Sequence, residues 1–348
     1  ATLPRTAVAR MNPLRACVLA FSACFARAFT GVPRAAFLSS SSSSSPSLRF
    51  PSTSRSLLSH SNLQKRTITM AEESSKYSMA DQVARFANAK ATGNQRYLNI
   101  ETVYDGSYLK GKRVLITGCN RGLGLELAKE AAAQGAIVYA AVRKSSPDLS
   151  AIKGVEVIEG VDVTKTETMK NMVEALSEPL DIVVNNAGYF TEAKETIGNM
   201  LFEEELKQID ICAVGPLRVT STLLNSGKLK QPGGHVVIIT SQAGSAAWRR
   251  VQNKDEGGDY GHHMSRAACN IAGVLMSEEL RKKGVFISQL HPGFNRTDMT
   301  AKFAQIWDIE GAVESSVGAK RVFYEIGKGS IETSGRFVNC EDGLEIPW

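Results

Sequence analysis

The sequence predicts an α/β fold in which a doubly wound parallel sheet carries helices on both faces. From Lys112 onward, short β-branched and apolar runs alternate with stretches of helical periodicity, and alternation at this pitch builds βαβ units. The first apolar run also passes directly into a glycine-rich turn, TGCNRGLG at 117–124, that opens a helical stretch.

The elements follow in order. RVLIT (113–117) reads as the first strand and RGLGLELAKEAAAQ (121–134) as the helix that returns from it. AIVYAAV (136–142), VEVIEGVDV (155–163) and DIVVNN (181–186) read as further strands, with TETMKNMVEAL (166–176) as a helix between the last two. ITSQAGS (239–245) and HPGFNRTDM (291–299) each follow another strand-like run, and no internal repeat occurs. Ahead of the first strand, MADQVARFANAKA (79–91) reads either as an amphipathic helix packed outside the sheet or as a mobile appendage.

Composition is that of an ordinary globular protein, with 43% apolar and 22% charged residues in a chain of 348. The net charge of +6 suggests an anionic partner until its placement is considered. Residues 1–71 hold nine of the 41 basic residues and no acid, which leaves 32 basic against all 35 acidic residues elsewhere, a balance of −3. No basic stripe for nucleic acid is present in that remainder.

The basic leader has the composition of a targeting segment. Met11 and Arg15 precede the short apolar run ACVLAFSACFA (16–26), which is too short to span a bilayer, and ARAF is followed by a Ser- and Arg-rich, acid-free stretch. This order resembles the bipartite plastid presequences of algae with secondary red plastids. The alternative takes Met70 as the start of a cytoplasmic protein with 1–70 as translated leader. Of six cysteines, Cys17 and Cys24 lie in the leader and the other four are widely spaced without CxxC, so neither a zinc site nor a disulfide framework is expected.

Glycines 118, 122 and 124 stand where the backbone must turn tightly and approach a pyrophosphate, with the N-terminus of a helix supplying free N–H groups. Their spacing is GxxxGxG, and they are joined downstream by Asp162 in VDVT, NNAG (185–188), Ser241 in ITSQAGS and the PG of HPGFNRTDM. These elements, in this order, resemble the short-chain dehydrogenase/reductase family. The tail GRFVNCEDGLEIPW resembles its C-factor-like branch.

The resemblance spans about 110–348 and implies a single Rossmann-type domain with a seven-stranded parallel sheet, preceded by the leader 1–70 and an extension 71–109. It implies a nicotinamide dinucleotide in the cleft at the strand ends. Thr117, Gly118, Asn120, Arg121, Gly122, Leu123 and Gly124 would cradle its phosphates, and Asp162 and Val163 would hold the adenine. Asn186, Ala187 and Gly188 would line the adenosine side, and Pro292, Gly293 and Thr297 would meet the nicotinamide. The second strand ends AAVRKSS, with Arg143 and Lys144 and no acid, so NADP(H) is expected over NAD(H).

In this family a tyrosine, a lysine four residues on, a serine and an asparagine reduce a carbonyl with the cofactor's hydride. Here Ser241 keeps the serine position, but YGHHMSRAACN (260–270) puts His262 where the tyrosine belongs and Arg266 where the lysine belongs. Cys212, in ICAVGP, takes the place of the asparagine. His262 and Arg266, one helical turn apart, share a face, and the cation disfavours protonation of the imidazole. A metal site at His262 and His263 is not expected, because adjacent helical residues diverge by about 100°. His235 and His291 read as structural residues.

Two functions remain open. One is an NADP(H)-dependent oxidoreductase acting on a small carbonyl or alcohol through Ser241, His262 and Arg266. The other is a catalytically impaired member that binds the dinucleotide as sensor, scaffold or assembly subunit. The resemblance also implies a homodimer or homotetramer.

Overall fold

Alternation in the sequence becomes alternation in space. The computed structural model describes residues 76–348, so the leader 1–70, with both candidate starts, Cys17 and Cys24, lies outside the described residues. The strands are β1 (Arg113–Thr117), β2 (Ile137–Ala141), β3 (Val155–Ile158), β4 (Ile182–Asn185), β5 (His235–Ile239), β6 (Phe286–His291), the short pair β7 (Asn295–Arg296) and β8 (Val313–Glu314), and β9 (Phe337–Asn339). Seven form one sheet in the order β3-β2-β1-β4-β5-β6-β9, and every neighbouring pair is parallel.

Helices cover both faces, which is why the strands are apolar throughout rather than alternating with polar residues. Val114 and Ile116 of β1 face α3 (Gly122–Ala133) and α11 (Ser315–Ile326), packing with Leu127, Ala131, Val322 and Phe323. Leu115, between them, faces the other way, into a core built from α5 (Met169–Ala175), α7 (Gly215–Asn225) and α9 (Tyr260–Arg281) with Met172, Val219, Leu223 and Met276. The remaining helices are α1 (Gln82–Thr92), α2 (Gln95–Leu98), α4 (Pro147–Ser150), α6 (Phe202–Ile209), α8 (Ala246–Gln252) and α10 (Trp307–Glu310).

The third strand is shorter than its sequence suggests. The apolar run continues to Val163, but β3 stops at Ile158 because Gly160 takes φ +72° and turns the chain beside the end of β2, where Val161 N–H donates to the Val142 carbonyl. Strand order reverses between β1 and β4, so the crevice outside their C-terminal ends is where this architecture places a ligand. No described helix is long and apolar enough to cross a membrane.

The N-terminal extension is packed against the domain, the first of the two alternatives its sequence left open. Asp81 caps α1 by accepting the Ala84 N–H at 2.9 Å, and Gly93 ends it in the left-handed region. The face turned inward is polar: Gln82 and Arg85 are buried beside Ala89. Both reach Glu341, which has no exposure at all, with Arg85 Nε at 3.1 Å and Gln82 Nε2 at 3.0 Å. Ser78 N–H and Glu345 N–H exchange backbone bonds between the extension and the C-terminal tail, to the carbonyls of Glu345 and Lys76.

Two buried histidines couple this fold to pH. His235 stacks on Phe286 and shares a 2.8 Å hydrogen bond with Ser288, and burial pushes its pKa down to about 3. Burial also lowers His291 to about 4, with the charge of Glu341 acting in the opposite direction. Both are neutral in the fold but take up a proton on unfolding below the ordinary histidine value of about 6.5, so stability is full above that pH and falls as pH drops toward 4. At pH 5 each histidine is expected to cost about 2 kcal/mol relative to pH 7.5. Urea melts of wild type and His235→Gln should diverge in their pH dependence by that amount, and parallel curves would refute the coupling.

The Arg85–Glu341 pair yields a second expectation. Arg85→Met leaves a buried carboxylate without its cation, a one-sided loss that costs about 3–5 kcal/mol. Chemical unfolding measures it, and a change under about 1 kcal/mol would mean that α1 lies outside the cooperative unit.

Candidate active site at the carboxyl edge of the sheet

β1 delivers the chain into the glycine turn at the point where strand order reverses. Gly118 lies at φ +67°, and a Cβ there would sit 2.7 Å from the Ala187 Cα, so conformation and space both require glycine. A Cβ on Gly124 would strike the Gly118 carbonyl and the Asn186 amide. Gly122, at φ +56°, faces the Thr297 methyl with ordinary clearance. Arg121 precedes α3 without a side-chain capping bond, which leaves the first N–H groups of the helix free for an anion.

The turn is held from behind. Thr117 Oγ1 accepts the N–H groups of Asn186 and Ala187 at 3.1 Å, and the Asn186 amide donates to the carbonyls of Thr117 and Gly118 at 3.0 Å. The side chain of Asn186, assigned by the resemblance to the adenosine side, is thus engaged in fixing the cradle. Leu123 packs on the core, and the Asn120 carbonyl accepts from Ser146 Oγ at 2.7 Å.

Beyond β2, Arg143 and Lys144 are exposed beside this turn. Asp162 accepts from the Thr164 N–H and hydroxyl at 3.0 and 2.7 Å. Partial burial works to raise its pKa, but the bonds from Thr164 and the charges of Arg143 and Lys165 hold it below the usual carboxylate range. The Val163 carbonyl accepts from Arg218 at 2.9 Å, and its side chain crowds Gly215. One acid here escaped the sequence reading: Glu159, on the turn after β3, accepts the Ser145 N–H at 2.7 Å.

Ser241 follows β5, and its hydroxyl accepts the Ala243 N–H at 3.1 Å. His262 and Arg266 lie in the first two turns of α9. That helix begins under constraint: Asp259 takes φ +46°, and the Gly261 N–H donates to Glu195 Oε2 at 2.9 Å, a cap supplied by the loop after β4. The His262 ring stacks on Phe190 at 4.2 Å, and its buried Nδ1 has no protein partner. His263 approaches the Ala243 carbonyl at 3.1 Å through Nδ1, which ties it to the Ser241 turn rather than to the surface. Tyr260 packs toward Gly257.

Arg266 is buried, donates to the Ile239 carbonyl at 3.1 Å, and fills the space beneath Gly188, where an added Cβ would lie 3.0 Å from its Nη2. Burial holds the His262 pKa well below the ordinary value, and the charges of Arg266, His263, Lys302 and Arg249 act in the same direction. The sequence attributed this depression to Arg266 alone, but loss of solvent is the larger cause. Cys212 is buried, with Sγ 3.6 Å from the Tyr189 carbonyl. It sits in a π-helical turn, Asp210–Val214, where the Gly215 N–H reaches back to the Asp210 carbonyl. Pro216 explains the turn: lacking an N–H, it cannot satisfy the Cys212 carbonyl, so the helix widens there.

Pro292, Gly293 and Thr297 form the wall after β6. Gly293 is at φ +83°, and a Cβ there would come 2.6 Å from Glu341 Cγ, while the Phe294 N–H donates to Glu341 Oε1 at 3.1 Å. The buried carboxylate that receives Arg85 therefore also shapes this wall. Burial acts to raise the pKa of Glu341, but Arg85 and Arg321 hold it below the usual range. Thr297 and Thr300 cap the following helical segment. Among the described residues no cluster of three His, Cys, Asp or Glu side chains is arranged to hold a metal.

Comparison with known proteins accords with this geometry. The short chain dehydrogenase family model matches residues 112–306. The 1-hydroxy-2-glutathionyl-2-methyl-3-butene dehydrogenase of Rhodococcus sp. is 31% identical over 68% of this chain and 99% of its own length. C-signal of Myxococcus xanthus is 36% identical over 49% of this chain and 93% of its own. Among solved structures, the NADPH-bound carbonyl reductase from chicken fatty liver superposes with a TM-score of 0.61 at 22% identity, covering 69% of this chain and 100% of that one. Carbonyl reductase Sniffer of D. melanogaster gives 0.58 at 23%, over 68% and 100%. The match across more than half of the sequence, on a sheet of this order with its glycine turn at the switch point, establishes that the chain belongs to the short-chain dehydrogenase family.

Proposed function

We propose that the protein is an NADP(H)-dependent oxidoreductase acting on a small carbonyl compound or the corresponding alcohol. The observation that carries this reading is the cradle: two glycines with no room for a Cβ, and the uncapped N-terminus of α3 facing Thr297 across the crevice. Those residues fit a dinucleotide pyrophosphate. Arg143 and Lys144 favour a 2′-phosphate, although Glu159 nearby narrows the preference for NADP(H) over NAD(H). The Rhodococcus dehydrogenase and the two carbonyl reductases that share this fold are consistent with it.

When bound, the dinucleotide supplies or accepts a hydride. The chain's own residues do the rest. Ser241 presents a hydroxyl to the substrate oxygen, His262 donates or withdraws the proton, and Arg266 meets the nicotinamide ribose with the donors not engaged by Ile239. A second reading, a binder without turnover, is favoured by one observation: His262 is neutral and stacked, and Arg266 is held by the β5 carbonyl. Phe202 and Leu206 on α6 and Ile271 and Leu275 on α9 are exposed apolar residues that a second copy would cover in a homodimer. The composition of 1–70 supports delivery to a plastid if translation starts at Met11, and a cytoplasmic location if it starts at Met70.

The test is titration of NADPH and NADP⁺ by calorimetry, followed by assay against a carbonyl panel. Submillimolar binding of NADPH is expected, with turnover that falls about 100-fold or more in Ser241→Ala, the scale of one lost oxyanion donor. Binding without turnover would favour the second reading, and no binding would exclude both.

The state of His262 gives a pH signature. Its pKa is depressed, so the charged donor form grows as pH falls through the neutral range. kcat/KM for reduction should therefore rise about tenfold per pH unit between pH 8 and 6, and His262→Gln should flatten the profile. A flat wild-type profile would remove His262 as the donor.

A further inference from the structure

We infer that the substrate cleft contains an anion subsite formed by Arg249 and Lys302, so that the preferred substrates carry a carboxylate or similar anionic group beside the reacting carbonyl or alcohol. This deepens the oxidoreductase reading and rests on it. The two cations come from opposite walls. Arg249 lies on α8, which follows the Ser241 turn directly, with Nη2 3.5 Å from the Gln242 carbonyl and Nη1 2.7 Å from Asn253 Oδ1. Lys302 comes from the segment after Thr297, with Nζ 3.2 Å from the Thr191 carbonyl and 3.5 Å from the centre of the Phe190 ring. Phe190 is the ring on which His262 stacks, which sets Lys302 beside the candidate proton donor, and the charge of Arg249 also acts on His262.

Neither cation has an acid. Lys112, Lys207, Lys230, Arg296, Lys320 and Arg336 all reach a carboxylate within 4 Å, but Arg249 and Lys302 reach none among the described residues. Asp259 and Glu192 are close enough to influence Lys302 but stand outside ion-pair distance. Arg249 is mostly buried; Nη2 also donates to the neutral side chain of Gln252, its Nε has no partner, and burial pulls its pKa down to about 10. A partly buried guanidinium that meets only neutral oxygens keeps its charge uncompensated, and a bound anion would relieve that cost. Arg266 adds to the same field, so the fixed charges that act on His262 are all cationic. The phosphates of a dinucleotide do not account for this, because the free N-terminus of α3 serves them from the β1 side of the crevice.

Matched substrates test the subsite in the full chain with NADPH. 4-Carboxybenzaldehyde should exceed methyl 4-formylbenzoate in kcat/KM by at least tenfold, chiefly through KM. Lys302→Gln and Arg249→Gln should each reduce that acid-to-ester ratio to within about threefold of unity while the calorimetric Kd for NADPH stays at the wild-type value. An ester that is reduced as well as the acid by wild type overturns the inference. So does a weakened NADPH affinity in Lys302→Gln, which would assign the lysine to the cofactor. If NADPH binds but neither aldehyde turns over, the oxidoreductase reading fails by itself. The subsite is then read directly by titrating terephthalate into NADPH-loaded protein: binding that Lys302→Gln abolishes supports it, and absence of binding refutes it.

Discussion

A carboxylate with no exposure to water holds the active edge of this protein together. Glu341 receives Arg85 and Gln82 from the N-terminal helix, the Phe294 N–H from the wall after β6, and leaves room for nothing but glycine at position 293. A buried charge of this kind is tolerable only when every partner is in place. Its satisfaction therefore fixes three segments at once: the extension, the Pro292–Gly293 wall and the tail that carries Glu341 itself. Arg85 carries the constraint further, lying over the Trp248 ring at 5.3 Å and 3.4 Å from Gln242, the residue after Ser241. The two walls of the cleft are thus braced through one guanidinium.

Much of this was legible in the sequence, for physical reasons. Strands buried on both faces leave continuous apolar runs, so β1, β2 and β4 could be located to within a residue or two. The glycine turn announced itself because no other residue fits at 118 and 124. What could not be read were contacts between polar residues far apart in the chain. Gln82 and Arg85 look like the solvent face of a helix, and nothing local says that a glutamate more than 250 positions away will receive them. Glu195 as the cap of α9, Glu159 beside the basic turn, and the amide of Asn186 turned onto the cradle belong to the same class. The π-helical turn at Cys212 had a local signal after all, in Pro216, because a missing N–H four residues on disrupts the regular ladder.

The chemistry of His262 shows how burial and charge combine. A histidine beside one arginine on an exposed helix would still be partly charged near neutrality. Stacked on Phe190, removed from water and surrounded by Arg266, Lys302 and Arg249, it is neutral in the free protein. An anion bound between Arg249 and Lys302 would oppose that field and favour the charged form of the ring.

The stitching of the extension to the tail has a consequence for maturation. Ser78 pairs with Glu345 through the backbone, Asn339 donates to the Ser78 hydroxyl, and Lys76 reaches the Glu345 carboxylate. Any cleavage that kept this pairing intact would have to fall before Lys76. A cut a few residues later would strip the β-like pairing from the tail and, past Asp81, the cap from α1.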